Sequence, residues 1–168
     1  MKKRIAVFVD GGNFFFLQRD ELRWWVDPKK LLEWISNEGE VVEAMYYAGY
    51  DASDFSQLGY LKALSYMGYS LVSKEIKFVE TNGHQIRKAN MDCELVADIF
   101  CMKDSYDMIY LVSGDADFAS ILQRVRAIGK NFKVISSGRF VANEVREVAG
   151  SHLIDFQDIR RYVEKSSK

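Results

Sequence analysis

Short apolar runs alternate with helical periodicities along nearly the whole chain. Residues 4–9 read as a strand, and 28–37 as a helix opened by Asp27-Pro28, a good N-cap followed by proline at the first helical position. Residues 41–48 predict a strand. A helix follows over 55–67, with Phe55, Leu58, Leu61 and Leu64 on one side. A strand at 70–76 leads into a polar loop, Glu80-Thr81-Asn82-Gly83-His84. Then come a helix at 91–103, a strand at 108–112 and a helix at 117–128, whose Phe118, Ile121, Leu122, Val125 and Ile128 fall on one face before Gly129 stops it. A strand at 132–136, a helix at 141–148, a short strand near 152–154 and a helix at 156–163 complete the pattern.

This alternation predicts an α/β fold: three α/β/α layers around a mostly parallel central sheet of about five to six strands. No linker or repeat divides the chain, so residues 1–164 are expected to form one domain, with 165–168 as a frayed tail.

Two of the predicted strands end alike. The run Ile5-Ala6-Val7-Phe8-Val9 stops at Asp10-Gly11-Gly12-Asn13, and Met108-Ile109-Tyr110-Leu111-Val112 stops at Ser113-Gly114-Asp115-Ala116-Asp117. Open α/β sheets bind ligands outside the carboxyl ends of their strands. Carboxylates delivered there by two strands repel unless a proton or a hard cation offsets them. A turn explains Asp10 taken alone, and helix capping explains Asp92, Asp115 and Asp117 taken singly. One N-cap, however, needs only one carboxylate, and Asp115 and Asp117 flank a single alanine. Asp98 has no capping role. Counting from Met91, it lies at about −20°, within the stripe of Leu95 at about +40° and Met102 at about +20°. A carboxylate there must be paired, hydrogen-bonded or bound to a cation. Glu94, on the flank, is expected to be solvated. Together these acids point to a shared metal site.

The same residues resemble a known family. Phe8 to Asn13, Lys88-Ala89-Asn90-Met91-Asp92 through Asp98, and Ser113 to Phe118 are similar to the three motifs of NYN domains, PIN-like metal-dependent ribonucleases, and most similar to the bacterial LabA-like branch. The resemblance implies a PIN-like sheet with Asp10, Asp92 and Asp115 as metal ligands and principal catalytic acids. Asp117 would be a fourth catalytic acid, with Asn13, Asp98 and Ser113 in support. The chain departs from the pattern at Asn90-Met91, where a glycine and a small apolar residue are commoner.

The expected activity is therefore a Mg²⁺- or Mn²⁺-dependent endoribonuclease acting on single-stranded RNA. The alternative is an RNA- or protein-binding regulatory module that keeps the metal site without useful turnover. A topoisomerase-primase type site would need an earlier glutamate, and a phospho-accepting aspartate would need a second acid directly after Asp10.

Composition narrows the partners. The net charge is −1 and the pI about 6.1, so nucleic acid cannot be held by bulk charge. Arg87, Lys88 and Arg139 are the expected phosphate contacts. No apolar run approaches the ~18–20 residues of a membrane span, and the basic start gives way to Asp10 too soon for a signal-peptide core, so a cytoplasmic location is expected. Cys93 and Cys101 point in different directions and are expected as small buried hydrophobes. His84 and His152 read as structural or surface residues, with His84 an outside candidate near the site. Of Phe14-Phe15-Phe16 and Trp24-Trp25, most are expected in the core, with Phe14 or Trp25 left to line a groove or a homodimer contact.

Overall fold

The computed structural model describes residues 2–81 and 84–166, with the side chains of 78–81 and 84–88 outside that description. A six-stranded parallel sheet runs in the order β3-β2-β1-β6-β7-β8. Its strands are β1 (Arg4–Asp10), β2 (Glu40–Tyr50), β3 (Ser70–Glu75), β6 (Met108–Val112), β7 (Asn131–Ser136) and β8 (Leu153–Asp155). Between them lie α2 (Pro28–Ile35), α3 (Phe55–Tyr66), α4 (Asp92–Cys101), α5 (Phe118–Ala127), α6 (Asn143–Ala149) and α7 (Phe156–Val163). The three-layer α/β expectation stands.

Strand alternation divides the core into two halves. Ile5, Val7 and Val9 of β1, with Met108, Tyr110 and Val112 of β6, enter the cluster built on Leu31, Ile35, Leu64 and Phe156. Ala6, Phe8, Ile109 and Leu111 enter the opposite cluster with Leu95, Ile99, Leu122 and Val125. Strands buried on both faces read as continuous apolar runs, which is why β1 and β6 carry no polar residue between their ends.

From β1 the chain winds outward through β2 and β3, then crosses back to β6 on the other side and continues to β7 and β8. The order therefore reverses between β1 and β6, and a crevice opens at their carboxyl ends, where side chains can gather.

Several expectations need correction. A helix α1 (Gly11–Phe16) follows β1 directly and continues into a π-helical turn over Leu17–Leu22, neither of which the apolar pattern predicted. Of the polar segment expected as a loop, Glu80, Thr81 and His84 belong instead to two antiparallel strands, β4 (Lys77–Thr81) and β5 (His84–Lys88), while 82 and 83 lie outside the described residues. Phe55, expected on the buried side of α3, is 83% exposed, because it stands at the first position of the helix, beyond the sheet that covers Leu61 and Leu64. Cys93 and Cys101 are both exposed free thiols on the outer side of α4. The backbone N–H of Lys165 donates to the Trp25 carbonyl across 2.8 Å. No helix among the described residues is long and apolar enough to cross a membrane.

Candidate active site

The carboxyl ends of β1 and β6 are laced together by side chains. Asp10 caps α1: its Oδ1 accepts the Asn13 N–H at 3.1 Å. Its Oδ2 accepts the hydroxyl of buried Ser113 at 3.0 Å, and the same hydroxyl oxygen accepts the Asp115 N–H at 3.2 Å. Asn13 completes the link by accepting the Gly114 N–H at 3.0 Å through its Oδ1. Asp10 is thus held by two donors from two different elements, and the Asp115 backbone is fixed by the residue that holds Asp10.

Two glycines make this closeness sterically possible. A Cβ on Gly11 would lie 2.5 Å from the Tyr47 carbonyl oxygen, and one on Gly114 would lie 2.3 Å from the carbonyl oxygen of Phe140. Both positions require a close approach of backbone that no other residue permits.

Asp92 opens α4 from the same side, and its backbone N–H is held by the Asn90 side chain at 2.7 Å. Asp10, Asp92, Asp115 and Asn13 line one cleft of about 330 Å³, shared with Phe16, Tyr47 and Asn90. No Lys, Arg or His belongs to that described lining. Burial raises the Asp10 carboxyl above its ordinary range, against its two hydrogen bonds, and the charges of Asp92 and Asp115 push the same way. Asp92 is raised too, by burial first, and then by Asp115, Asp117 and Glu94. The acids feel one another, yet among the described residues no three His, Cys, Asp or Glu side chains close into a set able to hold an ion unaided.

Asp117 stands apart from the cleft wall. It is exposed at the start of α5 and donates its N–H to Asp115 Oδ1 at 3.0 Å. Asp98 is half-buried and accepts the Tyr47 hydroxyl at 2.8 Å, which answers how a carboxylate sits within an apolar stripe. Glu94, expected to be solvated, pairs with Lys74 and has one oxygen enclosed without a partner.

Arg139 is not brought to the cleft. Its side chain is 94% exposed and lies 3.8 Å from Glu21, with which it forms a loose ion pair. The side chains of Arg87, Lys88 and His84 lie outside the described residues. Phe14 is core, at 1% exposure, and stacks on Phe156, while Phe16 takes the place at the cleft. His152 packs edge-on against Phe132, in keeping with a structural reading.

Tyr47 and Phe16 are the lining residues that sequence reasoning missed. For Tyr47 a signal existed, since it sits in β2 directly beside Asp10 in the β1–β2 register.

A sequence model of the NYN domain matches residues 4–158. The chain is 37% identical over 171 residues to the low amplitude and bright protein LabA of Synechococcus elongatus, an alignment that spans 98% of this chain and 90% of that protein. Its fold superposes on the crystal structure of a protein of unknown function from Vibrio parahaemolyticus with a TM-score of 0.82 at 24% identity, covering 96% of each chain. With motifs, extent and fold in agreement, this chain belongs to the NYN domain family.

Proposed function

We propose that this protein is a metal-dependent endoribonuclease that cleaves single-stranded RNA, with Mg²⁺ or Mn²⁺ as its cofactor. Membership of the NYN family supports a nuclease-type role in general. The observation that carries the finer reading is the meeting of Asp10, Asp92 and Asp115 in one cleft at the switch point, with no described basic side chain to offset them.

The donor set fits a hard divalent cation. All three acids offer carboxylate oxygens, and Mg²⁺ binds through one or two carboxylates while keeping several waters and substrate phosphate oxygens. When bound, such a cation supplies an activated water and offsets charge developing on a phosphodiester.

The chain's own residues do the positioning. Ser113 and the α1 backbone fix both Asp10 oxygens, so that carboxylate cannot turn away from the cleft. Asn13 pins Gly114 and thereby the backbone that presents Asp115. Asp117 adds negative charge at the mouth, felt by Asp92. Asp98 acts through Tyr47, whose ring forms part of the wall.

Two observations favour a second reading, a regulatory module with little turnover. The described carboxylates do not form a closed ligand group, and Arg139 faces Glu21 instead of the cleft. Incubating purified protein with end-labelled single-stranded RNA, with and without Mn²⁺, separates the two. Cleavage that requires Mn²⁺ and is lost in Asp115→Asn supports the ribonuclease. Mn²⁺ binding without cleavage supports the module.

A further inference from the structure

Three large aromatic side chains stand in water beside the acidic cleft. Phe15 is 44% exposed, Phe16 45% and Trp25 49%. They form one group: the Phe15 and Phe16 ring centroids are 5.5 Å apart at 76°, and Phe15 and Trp25 are 5.9 Å apart at 43°. The guanidinium of Arg19 lies 4.7 Å from the Phe16 ring centroid and 5.7 Å from that of Phe15. Phe16 is also part of the cleft wall, so the group runs outward from the acids without a break.

The backbone is shaped to produce this arrangement. After α1 the helix widens into a π-turn over Leu17–Leu22, a rare form that recurs at functional sites. It ends at Arg23 in the left-handed region, at φ 61°, which turns the chain back so that Trp25 returns to Phe15. Buried Gln18 fastens the turn, donating to the Phe14 carbonyl at 3.2 Å and accepting the Val26 N–H at 2.8 Å. The turn is thus held rigidly on the core side while its aromatic side is left bare.

We propose that Phe15, Phe16, Trp25 and Arg19 form a stacking platform for the unpaired bases of a single-stranded RNA whose backbone passes into the acidic cleft. The proposal rests on the ribonuclease reading of that cleft. The rings are tilted to one another and so present separate faces, which suits successive splayed bases. Every base has a π-face, so such a platform binds with little sequence preference. Arg19 is neutralised by Asp20, with Nε 2.6 Å from Oδ1, so its part is planar stacking and cation–π attraction more than net charge. A chain with a net charge of −1 needs a grip of this kind, because stacking does not depend on a large basic surface.

The test uses the full chain in EDTA, where metal-dependent cleavage is suppressed, and a fluorescein-labelled twelve-nucleotide oligouridine read by anisotropy. A second probe of equal length carries abasic sites at its centre and keeps every phosphate. The wild type should bind the base-bearing RNA more tightly than the abasic one. Phe15→Leu and Trp25→Leu, exposed changes that keep apolar volume, should each weaken binding of the base-bearing RNA by roughly five- to hundred-fold and leave abasic binding unchanged. Equal losses for both probes, or no loss, overturns the platform, as does absence of RNA binding by the wild type. Sedimentation showing a dimer that the two variants dissociate, with RNA binding unaltered, overturns it in favour of a protein contact. The ribonuclease reading is judged apart from this, by Mn²⁺-dependent cleavage in the wild type, so stacking without cleavage sinks that reading alone.

Discussion

The phenolic hydroxyl of Tyr47 donates to Oδ2 of Asp98 across 2.8 Å, and the bond reaches the cleft from behind. Tyr47 pairs with Asp10 in the β1–β2 register and is part of the cleft wall. Burial first, and Asp98 second, push its phenol far above the ordinary range, so it stays protonated and able to donate. Tyr47→Phe should therefore cost about 1–3 kcal/mol of stability in urea unfolding, since it strands a half-buried carboxylate. A double-mutant cycle with Asp98→Ala should show coupling of about 1 kcal/mol. Additive losses would mean that the pair is not coupled.

The acids give the metal-free protein a pH dependence of definite sign. Asp10 and Asp92 have folded values raised above their ordinary 3.8, so each favours folding most when protonated. That contribution is complete below about pH 4 and is lost as pH rises through the raised values. Asp107 behaves oppositely. Hydrogen bonds from Arg4 hold it down to about 2, so its contribution is present above its ordinary 3.8 and disappears as pH falls toward 2. Melting curves in EDTA should show stability declining above about pH 4. Asp92→Asn should flatten that decline and leave the acid limb intact. An identical profile in the variant would contradict the placement of Asp92.

Gly114 tests the steric argument. A Cβ there would meet the Phe140 carbonyl oxygen at 2.3 Å, Ser136 Oγ at 2.8 Å and Val141 Cα at 2.9 Å. The Gly114 carbonyl also accepts the Ala142 N–H at 2.9 Å, so the strand end cannot shift freely. Gly114→Ala should destabilise by about 1–3 kcal/mol, the usual cost of overpacking, and show as a lower urea midpoint. A midpoint within error of the wild type would show that the loop yields.

Much of this architecture was legible because buried parallel strands are plain apolar runs, and because the acids stand where those runs stop. β1 and β6 were visible as Ile5 to Val9 and Met108 to Val112, and their ends located Asp10 and Asp115. α1 was hidden because it opens with Gly11-Gly12, two poor helix formers, of which Gly11 is admitted for its close packing against β2. The paired strands β4 and β5 were hidden by their polarity. Cys93 and Cys101 were misplaced because α4 carries apolar residues on more than one side, which left its facing ambiguous. The partner of Asp98 lies 51 residues away in another strand, beyond the reach of any local pattern.

Substituting Asp115 separates charge from folding. Asp115→Asn keeps an oxygen able to accept the Asp117 N–H and removes a charge that presses on Asp10 and Asp92. Metal-free stability should hold or rise by up to about 0.5 kcal/mol. The wild type should gain about 2.7 kcal/mol at a Mn²⁺ concentration a hundred times its dissociation constant, and the variant should gain none. An undiminished Mn²⁺ effect in the variant would place the ion elsewhere.

The most direct measurement of the central claim is the position of the cation itself. Crystals soaked in Mn²⁺ and measured for anomalous scattering should show density in the cleft between β1, α4 and β6, contacting Asp10, Asp92 and Asp115 directly or through water. Anomalous density confined to other carboxylates, or a cleft that stays empty at Mn²⁺ concentrations that stabilise the protein, would contradict the account.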